Sequence, residues 1–349
     1  MMNITRKSMW PISARFAIAI CLVAAGRAGV AAEPADLANC AQIKSSRERL
    51  QCYDAAAGRV EPKPDAEPLG QLSAAPSPKP ASGATLPTAL SERWELDPET
   101  KQGLWAVRPY KPMFVLPVRY SNNPNESPQS PTHPISASAP LDHSEAEFQL
   151  SFKVKAGENL FGSDVDLWLA YTQQSQWQVY NSGISRPFRE TDYEPEMFLS
   201  LPTSYDLLGL TGRFVNLGLV HQSNGRADPL SRSWNRVYAQ AGFERGDFAL
   251  LVRPWYRLKE DKSDDDNPNI EHYMGYGDVT AIYKWGRQEF SLLGRYSGSA
   301  GAAQATWSFP LQGRLRGYVK AFTGYGETLI DYNWNQTTIG IGVLLADWM

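Results

Sequence analysis

The stretch Glu147–Val154 reads Glu-Phe-Gln-Leu-Ser-Phe-Lys-Val, an unbroken alternation of polar and apolar side chains. Successive side chains of a β-strand point to opposite faces, so this period of two predicts a strand with one apolar face. The same period recurs in two other rows, Val165-Leu167-Leu169-Tyr171 and Ile339-Ile341-Val343-Leu345. The chain is therefore predicted to be all-β over most of its length.

Twelve candidate strands follow this pattern, at residues 110–120, 145–155, 163–173, 195–205, 212–223, 233–244, 248–257, 273–285, 287–297, 303–310, 314–325 and 337–349. A soluble antiparallel sandwich alternates in the same way. These segments, however, run for about ten residues, the length of a strand that crosses a bilayer at a tilt. Aromatic side chains also cluster near strand ends, as at membrane interfaces: Trp177, Tyr180, Trp255, Tyr256, Tyr283 and Trp285. The sequence thus predicts a twelve-stranded antiparallel transmembrane β-barrel over residues 105–349.

Residues 1–32 have the features of a secretory signal peptide. Arg6 and Lys7 precede the apolar run Phe16–Ala25, which is too short to span a bilayer as a helix. Val30–Ala32 fits a small-residue cleavage site, and an uncleaved anchor is the alternative. Export followed by barrel insertion predicts a multi-pass protein of the bacterial outer membrane.

Two cysteines, Cys40 and Cys52, remain after residue 32. An even pair in an exported chain suggests a disulfide, with two free thiols or half a metal site as the other interpretations. Ser45 and Glu48 have the spacing of a helix capping box. We therefore expect a small disulfide-stapled helical segment at residues 33–59, followed by a disordered linker at residues 60–95 that is rich in Pro, Ala and Ser.

The charge balance and the loop lengths give two further expectations. The 349 residues carry a net charge of −3, which offers no electrostatic basis for binding nucleic acid. With both termini in the periplasm, the longer polar loops at residues 174–194, 224–232 and 258–272 lie on the extracellular side.

The fifth and sixth strands carry three polar side chains of catalytic type. His221 and Ser223 share a strand face, and a hairpin centred near Asp228 sets Asn235 opposite His221. Serine, histidine and a polar group that orients the histidine form a nucleophile–base–orienter set. Parity assigns all three to the apolar, lipid-facing side of the strands. A channel has no use for them there, whereas an enzyme whose substrate is the lipid does.

Gln173 ends the lipid-facing row that begins at Val165. A polar amide at that place either meets solvated headgroups or needs a partner in hydrocarbon. A second copy of the chain could supply that partner.

At these residues the chain resembles outer-membrane phospholipase A, the calcium-dependent barrel phospholipase of Gram-negative bacteria. The resemblance covers about residues 105–349, and its most specific segments are Pro187–Pro195, His221–Asn235, Asp265–Pro268, Tyr273–Tyr276 and Gly326–Asn333. It implies hydrolysis of acyl esters of phospholipids, of phospholipase A1, A2 and lysophospholipase type, at the outer leaflet. It also implies that Ser223 is the nucleophile, His221 the general base and Asn235 the orienting residue.

The resemblance further implies a calcium ion held by the Arg226 carbonyl, the Ser231 side chain and the Ser185 carbonyl of a partner subunit. The active form would then be a homodimer, with Gln173 in its interface. Asp228 and Asp266 match a second calcium site that the family forms in the monomer, and solvated loop acids are the alternative. The histidines at positions 133, 143 and 272 match no role.

Two other functions remain to be separated from this one. A non-enzymatic outer-membrane channel or structural barrel predicts no effect of Ser223→Ala. A soluble secreted esterase on a β-sandwich predicts recovery in the aqueous fraction.

Overall fold

The computed structural model describes residues 40–56, 88–134, 138–313 and 315–349. The predicted signal peptide and most of the predicted linker lie outside these ranges. The N-terminal segment contains helix α1 (Ser46–Ala56), which begins directly after Ser45. A disulfide joins Cys40 to Cys52, as the even cysteine count suggested.

Twelve antiparallel strands form the main body. They are β1 (Met113–Ser121), β2 (Ser144–Leu160), β3 (Val165–Trp177), β4 (Phe188–Leu207), β5 (Leu210–Ser223), β6 (Ser233–Arg245), β7 (Phe248–Leu258), β8 (Gly277–Trp285), β9 (Gln288–Tyr296), β10 (Gly301–Pro310), β11 (Arg316–Tyr325) and β12 (Asn335–Ala346). Each strand pairs with the next, and β12 pairs with β1, so the sheet closes. A short strand, Arg108–Pro109, adds to β2. The all-β, twelve-stranded fold predicted from the alternation is confirmed, and closure leaves no open edge in the membrane.

The parity of the strands is also confirmed. On β5 the outward side chains of Leu217 and Leu219 are 59% and 47% exposed. Asn216, on the opposite face of the same strand, is fully buried. On β12 Ile339, Ile341 and Leu345 are likewise exposed. An apolar outer surface of this kind suits hydrocarbon, and the polar side chains that alternate with it on these strands face the interior.

The two ends of the barrel differ. At one end the connections are short, as at residues 161–164, 208–209, 246–247 and 286–287. At the other end most of them are longer, and one contains the short helix α3 (Ile270–Met274). The eighth strand therefore starts at Gly277, not at 273, and the fourth starts at Phe188, not at 195. Both corrections lie at the long-loop end, where strands project past the apolar band and lose its periodicity.

The interior is filled by side chains. One set, here named the inner ion-pair cluster, consists of Arg119, Glu145, Glu147, Lys320 and Glu327. Arg119 pairs with Glu145 and Glu327, and Lys320 Nζ lies 2.5 Å from Glu147 Oε1 and 3.0 Å from Glu327 Oε1. All five side chains are nearly inaccessible to solvent. Such charges are tolerated when buried because each is paired.

A short helix α2 (Ala89–Trp94) fills the other part of the interior. Leu90 and Trp94 are buried in the main apolar core, and the ring of Trp94 lies 4.5 Å from that of Phe214. The linker boundary at residue 95 was therefore wrong at its C-terminal end: residues 89–94 belong to the barrel. Their helical pattern is too short to stand out beside the preceding Pro-rich stretch.

Two expectations about the aromatic and C-terminal residues need correction. Tyr256, Tyr283 and Trp285 are exposed on the outer wall, but Trp255 is buried inside, where it packs edge-on against Trp234. The last strand ends at Ala346, not at 349. The backbone N–H of Met349 donates instead to Glu289 Oε2, 3.2 Å away, so Met349 does not extend the lipid-facing row. Among the described residues no helix is long and apolar enough to cross a membrane.

Candidate functional site

Strand register places His221 directly opposite Asn235, as the hairpin predicted. The Nδ1 atom of His221 lies 2.8 Å from Oδ1 of Asn235, a good hydrogen-bond distance. Ser223 follows on the same face of β5, and its neighbour across β6 is Ser233. The imidazole of His221 is exposed on the outer wall of the barrel. The structure therefore brings His221 and Asn235 into contact and places Ser223 two residues from His221 on the same outward face.

The loop that follows Ser223 is tied together by one buried side chain. Asn224 accepts hydrogen bonds from the backbone N–H groups of Arg226 and Arg232, and its amide donates to the Leu230 carbonyl at 2.8 Å. Gly225 has a φ of +63°, and a Cβ there would lie 3.1 Å from the ring of Tyr193. A larger residue would be both strained and crowded at this turn. Residues 224–232 thus form a loop beside Ser223 that is held in one conformation by hydrogen bonds to Asn224.

A fourth polar residue reaches the site and was missed in the sequence. Glu260, two residues past the end of β7, accepts a hydrogen bond from Asn235 Nδ2 at 2.8 Å. Burial and the nearby Asp265 raise the pKa of Glu260, while Arg257 and the Asn235 amide lower it. The alternation of strand side chains could have indicated Glu260. Asn235 pairs with Leu258 across the strands, and Glu260, two residues further on, falls on the same face as Leu258. Its place in a polar loop hid that relation.

The oxygen-bearing residues expected to hold calcium lie in two loops. Ser231 Oγ donates to Asp266 Oδ2 at 2.5 Å, which joins loop 224–232 to the loop after β7. The guanidinium of Arg226 binds the Arg189 carbonyl, so the residue is anchored beside the serine. Ser185 lies in the loop between β3 and β4, is exposed, and has a φ of +64°.

Asp228 and Asp266 come close together, as the second-site prediction requires. Unexpectedly, His133 joins them: its Nε2 lies 3.4 Å from Asp228 Oδ1, and one ligand atom from each of the three lies within 4.8 Å of the others. The sequence alone offered no reason to bring His133 here, since more than ninety residues separate it from Asp228 in the chain. The loop between β1 and β2 brings it there, and the neighbouring Thr132 hydroxyl donates to the Asp265 and Asp266 carbonyls.

Gln173 lies on the outer wall of β3, in the row predicted for it. Its Oε1 accepts a hydrogen bond from the Tyr171 hydroxyl at 3.0 Å, and its Nε2 lies 3.3 Å from Ser175 Oγ. A glutamine amide has two N–H donors and two acceptor positions, so one of each stays free for another partner. The local bonds satisfy half of the group without a second subunit.

The position of His221 on the outer wall determines which molecules can reach the site. The imidazole is exposed on the same wall as Leu217 and Leu219, so access is from the lipid side and not through the lumen. On the inner face of β5 and β6, Asn216, Trp234 and Tyr238 are buried. An ester in the bilayer is the substrate class that meets this surface.

Comparison with known proteins agrees with this geometry. The model of the phospholipase A1 family matches residues 90–345. Phospholipase A1 of Escherichia coli strain K12 is 44% identical over 205 residues, which cover 58% of this chain and 70% of that protein.

Two solved structures share the fold. The Salmonella typhi outer membrane phospholipase dimer with bound calcium is 36% identical, with a TM-score of 0.67, over 74% of this chain and 98% of that one. An Escherichia coli outer membrane phospholipase A with an active-site asparagine changed to alanine is 36% identical, with a TM-score of 0.64, over 71% of this chain and 95% of that one. The chain therefore belongs to the phospholipase A1 family, and it is an outer-membrane β-barrel enzyme that hydrolyses phospholipids.

Proposed function

We propose that Ser223, His221 and Asn235 carry out the hydrolysis. The observation that supports this most is the hydrogen bond of 2.8 Å between His221 and Asn235, on the outer face that also holds Ser223. An asparagine mutated at the active site of the related Escherichia coli enzyme gives independent support for the role of Asn235. Asn235 lacks the charge of an aspartate, but its carbonyl oxygen still accepts from the imidazole N–H and fixes the tautomer.

The reaction follows from these roles. Ser223 Oγ attacks the ester carbonyl carbon while Nε2 of His221 takes the hydroxyl proton. The bond to the lysolipid oxygen breaks, and His221 returns the proton to that leaving group. Water, deprotonated by the same imidazole, then attacks the acyl-enzyme; the bond to Ser223 Oγ breaks, His221 returns the proton to that oxygen, and the fatty acid leaves. We extend the proposal to both ester positions and to lysophospholipids, because a site on the open outer wall has no closed pocket to exclude them.

We further infer that calcium binds beside Ser223. The donor set fits the ion, since the Arg226 carbonyl, the Ser231 hydroxyl and the Ser185 carbonyl of the partner subunit are all hard oxygen ligands. Ser231 already meets a carboxylate of Asp266, so its hydroxyl oxygen faces a region of negative charge. Calcium would supply positive charge near the developing oxyanion. From the chain itself, we expect a backbone N–H near Gly225 to donate to that oxygen.

Dimerisation is the expected switch of the enzyme. A calcium ligand from a second subunit would leave the monomer incomplete, and the related Salmonella typhi enzyme forms a dimer with bound calcium. Gln173 is our candidate for the centre of the interface, through the N–H and the acceptor position that its own strand leaves free. Control of this kind is needed because the barrel lies in its own substrate.

We also propose a second cation site at Asp228 and Asp266. The two carboxylates and the His133 imidazole can each offer one ligand atom within 4.8 Å of the others. Asp228 is exposed, so the same residues also suit solvated loop charges.

The test is phospholipid hydrolysis by the refolded protein, with calcium or with a chelator, alongside Ser223→Ala. Ser233→Ala is the matched control, because Ser233 faces Ser223 across the strand pair and has no assigned role. We expect turnover only with calcium, its loss in Ser223→Ala, and its retention in Ser233→Ala. Turnover that survives the Ser223 change, or that ignores the chelator, would contradict the serine mechanism or the calcium requirement respectively.

A further inference from the structure

Glu260 lies behind Asn235, on the side away from His221. Its Oε1 accepts from Asn235 Nδ2 at 2.8 Å, and its Oε2 is buried without a hydrogen-bond partner among the described residues. Arg257, near the end of β7, lies 2.7 Å from Asp265 Oδ1 and is engaged there. Within the part of the chain that the structure describes, no ion pair therefore competes with Asn235 for the Glu260 carboxylate.

This contact decides which way the Asn235 amide points. An ionised carboxylate only accepts hydrogen bonds, so it selects the NH₂ end of the amide. The carbonyl end then faces Nδ1 of His221, at 2.8 Å, and Nδ1 must carry the proton. Nε2 of His221 is left with a free lone pair, which is the form that can take a proton from a serine.

Without Glu260 the amide could turn over. A rotation of 180° about the last side-chain bond would present the Asn235 NH₂ group to His221 Nδ1. Nδ1 would then have to accept, the proton would move to Nε2, and the imidazole could not act as base toward Ser223. An aspartate at position 235 would not need this help, since both of its oxygens accept; an asparagine does.

We propose that Glu260 is a positioning residue of the hydrolytic site, which fixes the Asn235 amide and through it the catalytic tautomer of His221. The inference rests on the proposed roles of Ser223, His221 and Asn235. Glu260, Asn235 and His221 then form a hydrogen-bonded chain on the outer wall, beside Ser223. The alternative is a purely structural role, in which Glu260 only anchors the start of the loop after β7.

Exchanging the carboxylate at 260 and the amide at 235 distinguishes a positioning role of Glu260 from a loop anchor. Glu260→Gln removes the obligatory acceptor, and we expect kcat to fall about tenfold with KM unchanged, as for loss of one charge-assisted hydrogen bond. Asn235→Asp sets two carboxylates face to face, so we expect a larger loss, about a hundredfold. In the double variant the substituted amide at 260 can donate to the carboxylate at 235. We expect its kcat to rise at least about tenfold above that of Asn235→Asp alone.

The sign of the effect is the diagnostic feature. Glu260→Gln should slow the wild-type enzyme and speed the Asn235→Asp enzyme, whereas loss of a loop anchor slows both. Asp261→Asn is the control, because it changes the adjacent exposed acid of the same loop. We expect it to keep wild-type kcat and KM. All variants are compared as full-length refolded protein at saturating calcium, with their unfolding midpoints recorded.

The outcomes distinguish this inference from the one on which it rests. If Ser223→Ala retains turnover, the proposed mechanism itself fails. If Ser223→Ala is inactive but Glu260→Gln stays within about twofold of wild type, or lowers kcat in both backgrounds, Glu260 has no positioning role. Should Asn235→Asp fail to fold, the fall in kcat at constant KM for Glu260→Gln against Asp261→Asn decides the question.

Discussion

The barrel carries one polar cluster in its interior and another on its outer wall. The inner ion-pair cluster is sealed from solvent, and each of its cations meets at least two carboxylates. The outer-wall site, defined by Ser223, His221, Asn235 and Glu260, forms an open chain that ends at an exposed imidazole. Buried charges that are fully paired can only hold a structure together, whereas an open chain of hydrogen bonds has an end left for a substrate.

The largest effect should come from the exposed end of the outer-wall site. His221→Ala removes the proposed general base, and we expect kcat to fall at least about 10³-fold, as for a member of a catalytic triad. Because the side chain is exposed and packs little, the unfolding midpoint should not move. Paired rate and denaturant measurements check this, and a destabilised variant would mean that the outer site also supports the fold.

Glu327→Ala should do the reverse at the inner ion-pair cluster. It leaves Arg119 and Lys320 short of a partner, and breaking a buried pair typically costs about 3 kcal/mol or more. The rate per folded molecule should stay within about twofold, measured after the folded fraction has been determined. A large loss of kcat in the folded fraction would contradict the claim that the inner ion-pair cluster serves stability and not catalysis.

The acid sensitivity of the barrel should depend on the same residue. Burial alone would raise the pKa of Glu327, but Arg119 and Lys320 outweigh it and lower the pKa to about 2. A depressed carboxyl pKa adds stability above the ordinary value of 4.5, and that stability is lost as the pH falls towards about 2. Unfolding measured across this range should show the loss in wild type and a weaker dependence in Glu327→Gln. Equal slopes would mean that Glu327 is not ionised in the fold.

Asn235→Ala should have an intermediate effect on rate. It removes the hydrogen bond to His221 but no reacting atom, and a hydrogen bond to a group that becomes charged is worth about 1.5–3 kcal/mol. We expect kcat to fall about tenfold to a hundredfold, with stability near wild type. A loss as great as that of His221→Ala would show that the orienting residue is as essential as the base.

Gln173→Ala should give the smallest change. Interhelical hydrogen bonds in membranes average about 0.6 kcal/mol, and a similar value here would weaken dimerisation about threefold. Sedimentation in detergent with calcium and a substrate analogue measures the dimer, and Gln173→Glu tests the same position with a charge. An unchanged dimer in both variants would place the interface elsewhere.

The sequence predicted the barrel better than it predicted the polar contacts. Alternation over Glu147–Val154 and its counterparts is a local property, so strand number, parity and the His221–Asn235 pairing could all be inferred from short stretches. The helix at residues 89–94 could not, because six residues show no clear period and only the barrel interior makes them bury Leu90 and Trp94.

Contacts between distant loops were also beyond the sequence. His133 reaches Asp228 across the closed barrel, and Glu260 reaches Asn235 from a loop whose charge looks merely solvated. Trp255 was assigned to the outer wall by residue type, although its parity with Leu251 indicates the interior where it lies. Long-range placement depends on closure and register, which no single segment encodes.

Covalent trapping tests the central claim most directly. The refolded enzyme, with calcium, is treated with a serine-reactive fluorophosphonate bearing an alkyl chain, and the modified residue is located by peptide mass spectrometry. We predict a single adduct on Ser223 that requires calcium and disappears in His221→Ala, because only an activated serine hydroxyl reacts. Modification of another residue, or an unmodified protein that still hydrolyses phospholipid, would contradict Ser223 as the nucleophile on the outer wall.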